Sequence, residues 1–293
     1  MSGPRTGLLA GGAVLTFVGS TYASFLLNKA DKVTTSGDRL PSAEERVAKY
    51  DDISKVYDSK ISMDETMMGM WLLRRFLVGG NAAGDVLEVA AGTGRNYPYY
   101  QSTCKSLTIT DASKPMLEVA VDVGKQKGLA VPISMAVKAR AEDLRSALGG
   151  RKFDTVVDTF GLCSFEDPVE ALRQMQACCE PEGGKILLLE HGKSSWLPWL
   201  TKILDNQAVQ HATNWGCVWN RDIERIVEES GLKVESLHTF HFGTTYYIIG
   251  RPGAQYHRRE EANVTATSVA RRHSKNATRP SCCSCHGHGS SAK

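Results

Sequence analysis

Short apolar segments alternate with amphipathic segments along most of this chain of 293 residues. The strand-like segments begin near Asp85, Leu107, Val131, Phe153 and Gly184, and helical segments separate most of them. Strands that alternate with helices assemble into a mostly parallel sheet with helices on both faces. We therefore predict an α/β fold, and this alternation constrains the architecture more than any other feature of the chain.

Two further β-rich segments end the predicted domain. They read LKVESLHTF and TTYYIIGRP, and only His241, Phe242 and Gly243 separate them. Two such segments joined by a short connection that contains glycine are typical of a hairpin. A hairpin is unusual at the end of an otherwise parallel sheet, because at least one of its strands must run antiparallel.

Helix-start signals stand at two places outside the strands. Ser42 and Glu45 have the spacing of a capping box, and helical periodicity then continues until Gly79–Gly80. The later segment DPVEALRQMQACC begins with Asp167 as N-cap, followed by proline and by Glu170, which completes a second box.

The N-terminus contains an apolar segment, Gly7–Leu27, of 21 residues without a charge. A bilayer core requires about 20 such residues, so we predict one transmembrane helix. A cleaved signal peptide and a buried helix are the alternatives. We further expect a linker over 28–44, one globular domain over 45–251 and a disordered basic tail over 252–293.

Basic residues favour one orientation of the predicted membrane helix. Arg5 precedes the segment, whereas Lys29, Lys32, Arg39 and Arg46 follow it. By the positive-inside rule the main domain then faces the cytosol, or the matrix of a mitochondrion. We predict a single-pass protein of the mitochondrial inner membrane, with the endoplasmic reticulum as the alternative.

Charge and cysteine content limit the classes of partner. The net charge is +3, which does not suggest a nucleic-acid-binding protein. The cysteines before the tail are scattered through apolar segments and are expected to be small core residues in a reducing compartment. The tail segment CCSCHGHG lacks the second ligand pair that a metal site requires, so we predict no metal.

A glycine turn follows the first predicted strand and opens a helix. Gly92 and Gly94 form this turn, but Tyr97 stands where a dinucleotide-binding fingerprint has its third glycine. Glu88 lies on the strand, four residues before Gly92, and Asp111 ends the second strand. Two acids beside a glycine turn suit a ligand that carries a positive charge and ribose hydroxyls, as S-adenosylmethionine does.

The segments VLEVAAGTGRNYPYY, TDASKPML, FDTVVDTFGLCSFEDP and GGKILLLEHGKS resemble class I S-adenosylmethionine-dependent methyltransferases. The resemblance covers about residues 45–250 and is strongest to the UbiE-like group and to membrane-anchored relatives, including a mitochondrial inner-membrane type. It implies a Rossmann-like, seven-stranded sheet whose last strand is antiparallel. It also implies that S-adenosylmethionine is the cofactor and that it is bound by the residues Glu88, Ala90, Gly92, Gly94, Asp111, Ala112, Glu142, Asp143 and Asp158.

The two departures from the family pattern concern the cofactor. Ala90 replaces the first glycine of the usual motif, which narrows the room near the methionine moiety. Arg140 stands where UbiE-like enzymes have an acid, so we expect Glu142 or Asp143 to contact the adenine.

Residues that face the methyl acceptor are expected after the fourth and fifth strands. His191 is the candidate general base and Asp158 a second catalytic candidate, while His211 is a weaker alternative base. A loop histidine bonded to the backbone is an equally simple interpretation of His191. The tryptophan-rich segment that follows, SSWLPWLTKILDNQAVQHATNWGCVW, is interpreted as a lid or a wall of the acceptor pocket, or as a helix packed on the sheet.

The predicted function is methyl transfer to a small, lipophilic acceptor by in-line displacement at the S-adenosylmethionine methyl group. One alternative is a catalytically idle methyltransferase fold that serves as a membrane assembly factor. Another is a nicotinamide oxidoreductase, which the missing third glycine disfavours.

Overall fold

The computed structural model describes residues 39–254, and the elements below are numbered within this range. The helices are α1 Ala43–Ile53, α2 Tyr57–Met67, α3 Met70–Asn81, α4 Lys114–Lys127, α5 Leu144–Ala147, α6 Pro168–Cys178, α7 Pro198–Trp215 and α8 Ile223–Ser230. The strands are β1 Gly84–Val89, β2 Cys104–Asp111, β3 Ile133–Lys138, β4 Thr155–Thr159, β5 Lys185–His191, β6 Lys233–Phe240 and β7 Thr245–Arg251. All seven predicted strands are present.

The strands form one sheet in the order β3-β2-β1-β4-β5-β7-β6. Strands β1 to β5 are parallel, and β7 is antiparallel to both of its neighbours. The terminal hairpin and the antiparallel last strand are therefore confirmed. The chain builds outward from β1 to β3 in one direction and from β4 onward in the other, so a crevice forms where β1 and β4 lie side by side.

Helices cover both faces of the sheet, as predicted. Successive strand residues point to opposite faces, so Leu187 and Leu188 belong to two separate hydrophobic clusters. One cluster lies under α6 and α8, where Leu172 and Ile226 are buried. The other lies under α3 and α4, where Leu77 is fully buried. The five cysteines of the described range are buried and unbridged, which confirms that they are small core residues.

The segment before the first strand differs in part from its prediction. Ser42 and Glu45 do form the capping box at the start of α1. The single predicted helical stretch is divided into three helices, however. The break between α2 and α3 lies at Gly69, which has a φ of 66°. The predicted end at Gly79–Gly80 is wrong, because α3 continues through both glycines to Asn81. Packing of α3 on the sheet outweighs the low helix propensity of glycine.

The predicted box at the start of α6 is only half formed. The Asp167 side chain accepts a hydrogen bond from the Glu170 N–H at 2.9 Å. The Asp167 N–H is bonded instead by the carboxylate of Glu142, at 3.2 Å, while Glu170 accepts from Gln174. A tertiary contact has thus replaced the local one.

No helix within residues 39–254 is long and apolar enough to cross a membrane. The predicted transmembrane helix over 7–27 lies outside the described residues, as does the predicted tail apart from residues 252–254.

The two hydrophobic clusters predict unequal costs for two leucine truncations. Leu172 is fully buried on the side of α6 that packs on the sheet, whereas Leu72 on α3 is 41% exposed. Leu172→Ala should lower the free energy of unfolding by about 3 kcal/mol, since it leaves a cavity. Leu72→Ala should change it by about 0.5 kcal/mol or less. Urea unfolding followed by circular dichroism measures both, and equal losses would contradict this assignment of the core.

Candidate functional site

A cleft opens at the carboxyl ends of β1 and β4, where the strand order reverses. Its volume is about 980 Å³, including space open to solvent. It is lined by residues that follow β1, β2 and β4, and helix α1 borders it through Arg46 and Tyr50. Ligands of open α/β sheets bind at this position, because loops from both halves of the sheet diverge there.

Glu88 is the buried acid of this cleft. Its two carboxyl oxygens accept hydrogen bonds from the Asn96 side-chain amide and from the Tyr100 hydroxyl, both at 2.9 Å. Burial raises the pKa of Glu88 to about 7, although these two donors oppose the shift. A cation that enters the cleft would restore the charged form, so Glu88 is suited to bind an ammonium group.

Asp111 lines the same cleft from the end of β2. One of its oxygens accepts from the Gly92 N–H and the other from the Ser113 N–H, each at 2.8 Å. Burial raises the pKa of Asp111 to about 6. The carboxylate thereby fixes the glycine turn, and each oxygen retains a lone pair for a ligand hydroxyl.

The turn between these acids is left-handed at three positions. Gly92 and Gly94 have φ values of 56° and 82°, and Ala90 has 48°. A side chain there is strained, so Ala90 occupies a position that favours glycine. A Cβ on Gly94 would lie 2.3 Å from the Tyr97 ring. The aromatic ring therefore occupies the place where a dinucleotide-binding turn would have a third glycine.

Arg74 is a cleft residue that the sequence interpretation missed. Its guanidinium is buried and donates to Asn96 at 2.6 Å, to Thr159 at 2.7 Å and to Glu65 at 2.9 Å. Within residues 39–254 its Nε atom has no hydrogen-bond partner. A signal was available: Arg74 shares the inward face of α3 with Leu77 and Val78, and a buried arginine needs anionic partners.

A second cavity of about 970 Å³ adjoins the first. Tyr50, Tyr57 and Phe160 line both, so the two cavities meet at these three residues. The second cavity is mainly apolar and aromatic. Two tryptophans of the tryptophan-rich segment, Trp215 and Trp219, contribute to its lining.

Both candidate bases lie on the second cavity. His191 ends β5, and its ring centroid is 4.3 Å from that of Phe160. His211 lies on α7 and stacks on Trp219 at 3.9 Å. The two imidazoles thus reach one compartment from different elements.

Asp158 lies at the end of β4, fully buried, and lines neither cavity. No N–H or hydroxyl within residues 39–254 donates to it with hydrogen-bond geometry. The Glu190 carboxyl on β5 interacts with it, and burial favours the protonated form of both groups. Burial raises the pKa of Asp158 to about 8, and burial with the nearby Asp158 charge raises the pKa of Glu190 well above its usual range.

The remaining predicted cofactor residues separate into two groups. Ala112 and Glu142 line the first cavity, whereas Asp143 is exposed and lines neither. Glu142 also accepts from the backbone N–H groups of Glu166 and Asp167. It therefore ties the loop after β4 to the rim of the cleft.

A family model described as a methyltransferase domain matches residues 66–237. This chain belongs to the methyltransferase-domain family. The matched range contains both buried acids, the glycine turn and Arg74. The predicted resemblance to class I, UbiE-like methyltransferases is confirmed.

Several relatives are similar to this methyltransferase domain. Over 228 residues the chain is 34% identical to the mitochondrial methyltransferase OMS1 of Saccharomyces cerevisiae, covering 72% of this chain and 47% of the relative. It is 32% identical over 158 residues to a ubiquinone/menaquinone biosynthesis C-methyltransferase UbiE of Hahella chejuensis, covering 51% and 61%. It is 28% identical over 123 residues to the human thiol S-methyltransferase TMT1B, covering 42% and 49%. The chain thus spans about half of the length of these relatives.

Solved structures share the fold at low identity. The DhpI complex with SAH has a TM-score of 0.53 at 20% identity, covering 72% of this chain and 97% of that one. The [4+2]-cyclase SpnF has a TM-score of 0.55 at 13% identity, covering 73% and 98%. Because a cyclase shares this fold with methyltransferases, the reaction has to be argued from the site.

Buried acids with raised pKa values predict that the methyltransferase domain loses stability as the pH rises. The unfolded chain releases these protons near pH 4, whereas the folded domain retains them until about pH 6 to 8. The folded state then binds more protons over this window, so the free energy of unfolding should fall as pH rises through it. Melting temperatures measured from pH 5 to pH 9 test the sign.

Asp158→Asn removes the acid that titrates at about pH 8, the highest of the three pKa values given above. The introduced amide can donate to Glu190, and the variant should show a flatter pH dependence above about pH 7. Asp122→Asn, at an exposed position on α4, is the matched control and should keep the wild-type slope. Identical slopes for all three proteins would show that the Asp158–Glu190 pair does not retain a proton.

Proposed function

We propose that this protein transfers a methyl group from S-adenosylmethionine to a small, lipophilic acceptor bound in the second cavity. The observation that carries the proposal is the convergence of Glu88 and Asp111 on one cleft that shares a wall with an aromatic cavity. Cofactor and acceptor would then meet where the two cavities join beside Phe160, at the carboxyl edge of the sheet.

The residues of the cleft fit the charge pattern of this cofactor. S-adenosylmethionine supplies an electrophilic methyl group on a sulfonium, next to an ammonium and a carboxylate. Glu88 would hold the ammonium, since its buried carboxyl becomes charged when a cation approaches. Arg74 would hold the carboxylate of the cofactor, because no group within residues 39–254 accepts a hydrogen bond from its Nε–H. Asp111 would accept hydrogen bonds from the ribose hydroxyls.

The adenine end of the cleft is apolar and flat enough for a base. Ala112, Met116 and Phe165 line it, together with Ala141. Glu142 is the acid within reach of this region and would accept from the exocyclic amine. Asp143, which lines neither cavity, is not assigned a role.

The acceptor side requires water exclusion and, for some acceptors, a base. Tyr50, Tyr57 and Phe160 lie where the two cavities meet, and their aromatic rings would keep water from the reacting atoms. His191 would take the proton of a phenol, thiol or enol acceptor as the new bond to carbon forms. His211 is the alternative, because it faces the same compartment.

The acceptor class is inferred from the lining and from the names of the relatives. An aromatic cavity favours an apolar ring or chain. The relatives include methyltransferases of quinone biosynthesis and of thiols, and both acceptor types are small and hydrophobic.

We also propose that the segment Gly7–Leu27 anchors the protein in a membrane and that 45–251 is the catalytic domain. The mitochondrial inner membrane is favoured, in line with the mitochondrial OMS1 relative, and the endoplasmic reticulum is the alternative. The anchor would concentrate the enzyme where lipophilic acceptors dissolve.

Cofactor affinity should depend on pH through the two acids. Protons compete with the cationic ligand below about pH 7, so binding should strengthen by about tenfold or more from pH 5.5 to pH 8. Glu88→Gln should weaken binding and remove the upper part of this pH dependence. Isothermal titration calorimetry with S-adenosylmethionine measures both effects.

Glu118→Gln is the control for this titration, because Glu118 is exposed on α4 and pairs only with Lys114 in the described range. It should bind S-adenosylmethionine as the wild type does. If Glu88→Gln retains full affinity with an unchanged pH profile, the acid does not hold the ammonium.

His191→Gln tests the base. Transfer to a phenol or thiol acceptor should slow by about 10²-fold or more, while the affinity for S-adenosylmethionine stays constant. His211→Gln is the matched comparison on the other wall of the cavity. Should His211→Gln lose the larger part of the rate, the roles of the two histidines are exchanged. If the wild type transfers no methyl group to any quinone, phenol or thiol acceptor, the proposed function fails.

A further inference from the structure

An apolar face covers the outer side of α2 and α3. Met63 and Met67 on α2 are 68% and 54% exposed, and Trp71 and Phe76 on α3 are 51% and 60% exposed. Large exposed apolar side chains in a contiguous group mark an interaction surface, whereas scattered ones do not. We use the name "apolar face" for these four residues together with Trp196 and Phe242.

Helix α3 has apolar residues on both of its sides. Its inward side contains the buried residues Met70 and Leu77, as packing on the sheet requires. Its outward side would be polar in a solvated helix, yet it presents Trp71, Phe76 and the 41%-exposed Leu72. Within the described residues, α3 therefore exposes an apolar surface to solvent.

Hydrogen bonds and close contacts join the remaining members to these helices. His241 Nε2, in the turn between β6 and β7, lies 2.9 Å from the Met68 carbonyl oxygen at the end of α2. In the same turn, Ser194 donates a hydrogen bond to the Phe242 carbonyl at 2.7 Å. A Cβ on Gly243 would lie 2.5 Å from the Trp196 indole nitrogen. The face thus continues from α2 and α3 across this turn to Trp196.

The second cavity lies directly beneath the apolar face. Ile61 of α2 and Met68, which follows that helix, line the cavity, as do Thr244 and Thr245 after the turn. The elements that expose apolar side chains outward therefore also form the wall of the proposed acceptor compartment.

Exposed basic residues lie on the helices of this face and beside it. Of the acids on α2, Asp58 and Glu65 pair with Arg95, and Asp64 lines the second cavity. Lys60 on α2, Arg75 on α3 and Lys202 on α7 are exposed, and α3 contains no acidic residue. Tryptophan together with lysine and arginine is typical of the interface between a bilayer and water. A surface of this composition suits anionic phospholipid headgroups over an apolar interior.

The length of the chain before the described range also fits a bilayer. The sequence places 11 residues between Leu27, which ends the proposed anchor, and Arg39. An extended chain spans about 3.5 Å per residue, so this connection holds the domain within about 40 Å of the membrane.

We propose that the apolar face inserts into the headgroup region of the membrane and that the second cavity takes its acceptor from the bilayer. The proposal rests on the membrane anchor and the acceptor cavity proposed above. The contact with lipid can nevertheless be measured without methyl transfer.

Tryptophan fluorescence in liposomes tests the contact. All five tryptophans of the chain lie in the described range, and Trp71, Trp196 and Trp199 are the exposed ones. The full chain is reconstituted in phosphatidylcholine vesicles with anionic phosphatidylglycerol, prepared with and without brominated acyl chains. Bromine quenches tryptophan only at short range, so strong quenching of the wild type is expected. The variant Trp71→Phe/Trp196→Phe/Trp199→Phe should lose most of it, because Trp219 is buried and Trp215 is only partly exposed.

A second pair of variants tests the apolar face and keeps Trp196 and Trp199, the tryptophans whose quenching reports contact with lipid. Trp71→Glu/Phe76→Glu should reduce the quenching of Trp196 and Trp199. Met135→Glu is the matched control, because Met135 is an exposed apolar residue on β3, at the opposite edge of the sheet. It should leave the quenching unchanged.

Three outcomes would overturn the inference. The first is weak quenching of the wild type, or equal quenching of the wild type and the triple phenylalanine variant. The second is a face covered by the segment 7–27, and the third is a face covered by a second copy of the chain; cross-linking from Met63→Cys identifies either. Methylation of a detergent-dissolved acceptor is assayed separately, so loss of lipid contact with retained transfer contradicts this inference alone. Lipid contact without transfer contradicts the proposed function alone.

Discussion

The reversal of strand order between β1 and β4 is the constraint on which the site depends. Neighbouring strands that lead to opposite halves of the sheet send their following loops in different directions. The crevice between those loops is lined by Glu88 near the end of one strand and by the segment after β4 at the end of the other. A continuous strand order would leave these loops packed against each other and would leave no space for a cofactor.

Buried carboxyl groups dominate the electrostatics of this crevice. Glu88, Asp111, Asp158 and Glu190 all have raised pKa values, because burial removes the water that stabilises their charge. Those that line the cleft gain most from a cationic ligand. The Asp158–Glu190 pair lines neither cavity, and burial favours its protonated form. Arg74 supplies the compensating positive charge through Asn96, which bonds to both Arg74 and Glu88.

Much of the fold could be predicted from local sequence patterns. The seven strands, the hairpin and the Ser42 cap depend on periodicity and on residues close together in the chain. The errors occur where a distant contact outweighs a local preference. Gly79 and Gly80 stay helical because α3 packs on the sheet, and Glu142 takes the capping position expected of Glu170.

The sequence by itself determined residue types and their spacing: two acids around a glycine turn, an alternation that requires a parallel sheet, and a histidine, His191, at the end of the fifth strand. Only the tertiary structure decided which of these groups meet. It brought Arg74, 14 residues before Glu88, into the same network, placed both candidate bases on one cavity and removed Asp158 from both cavities. The reason is that residue type and spacing fix local geometry, whereas proximity between distant segments depends on how helices pack against the sheet.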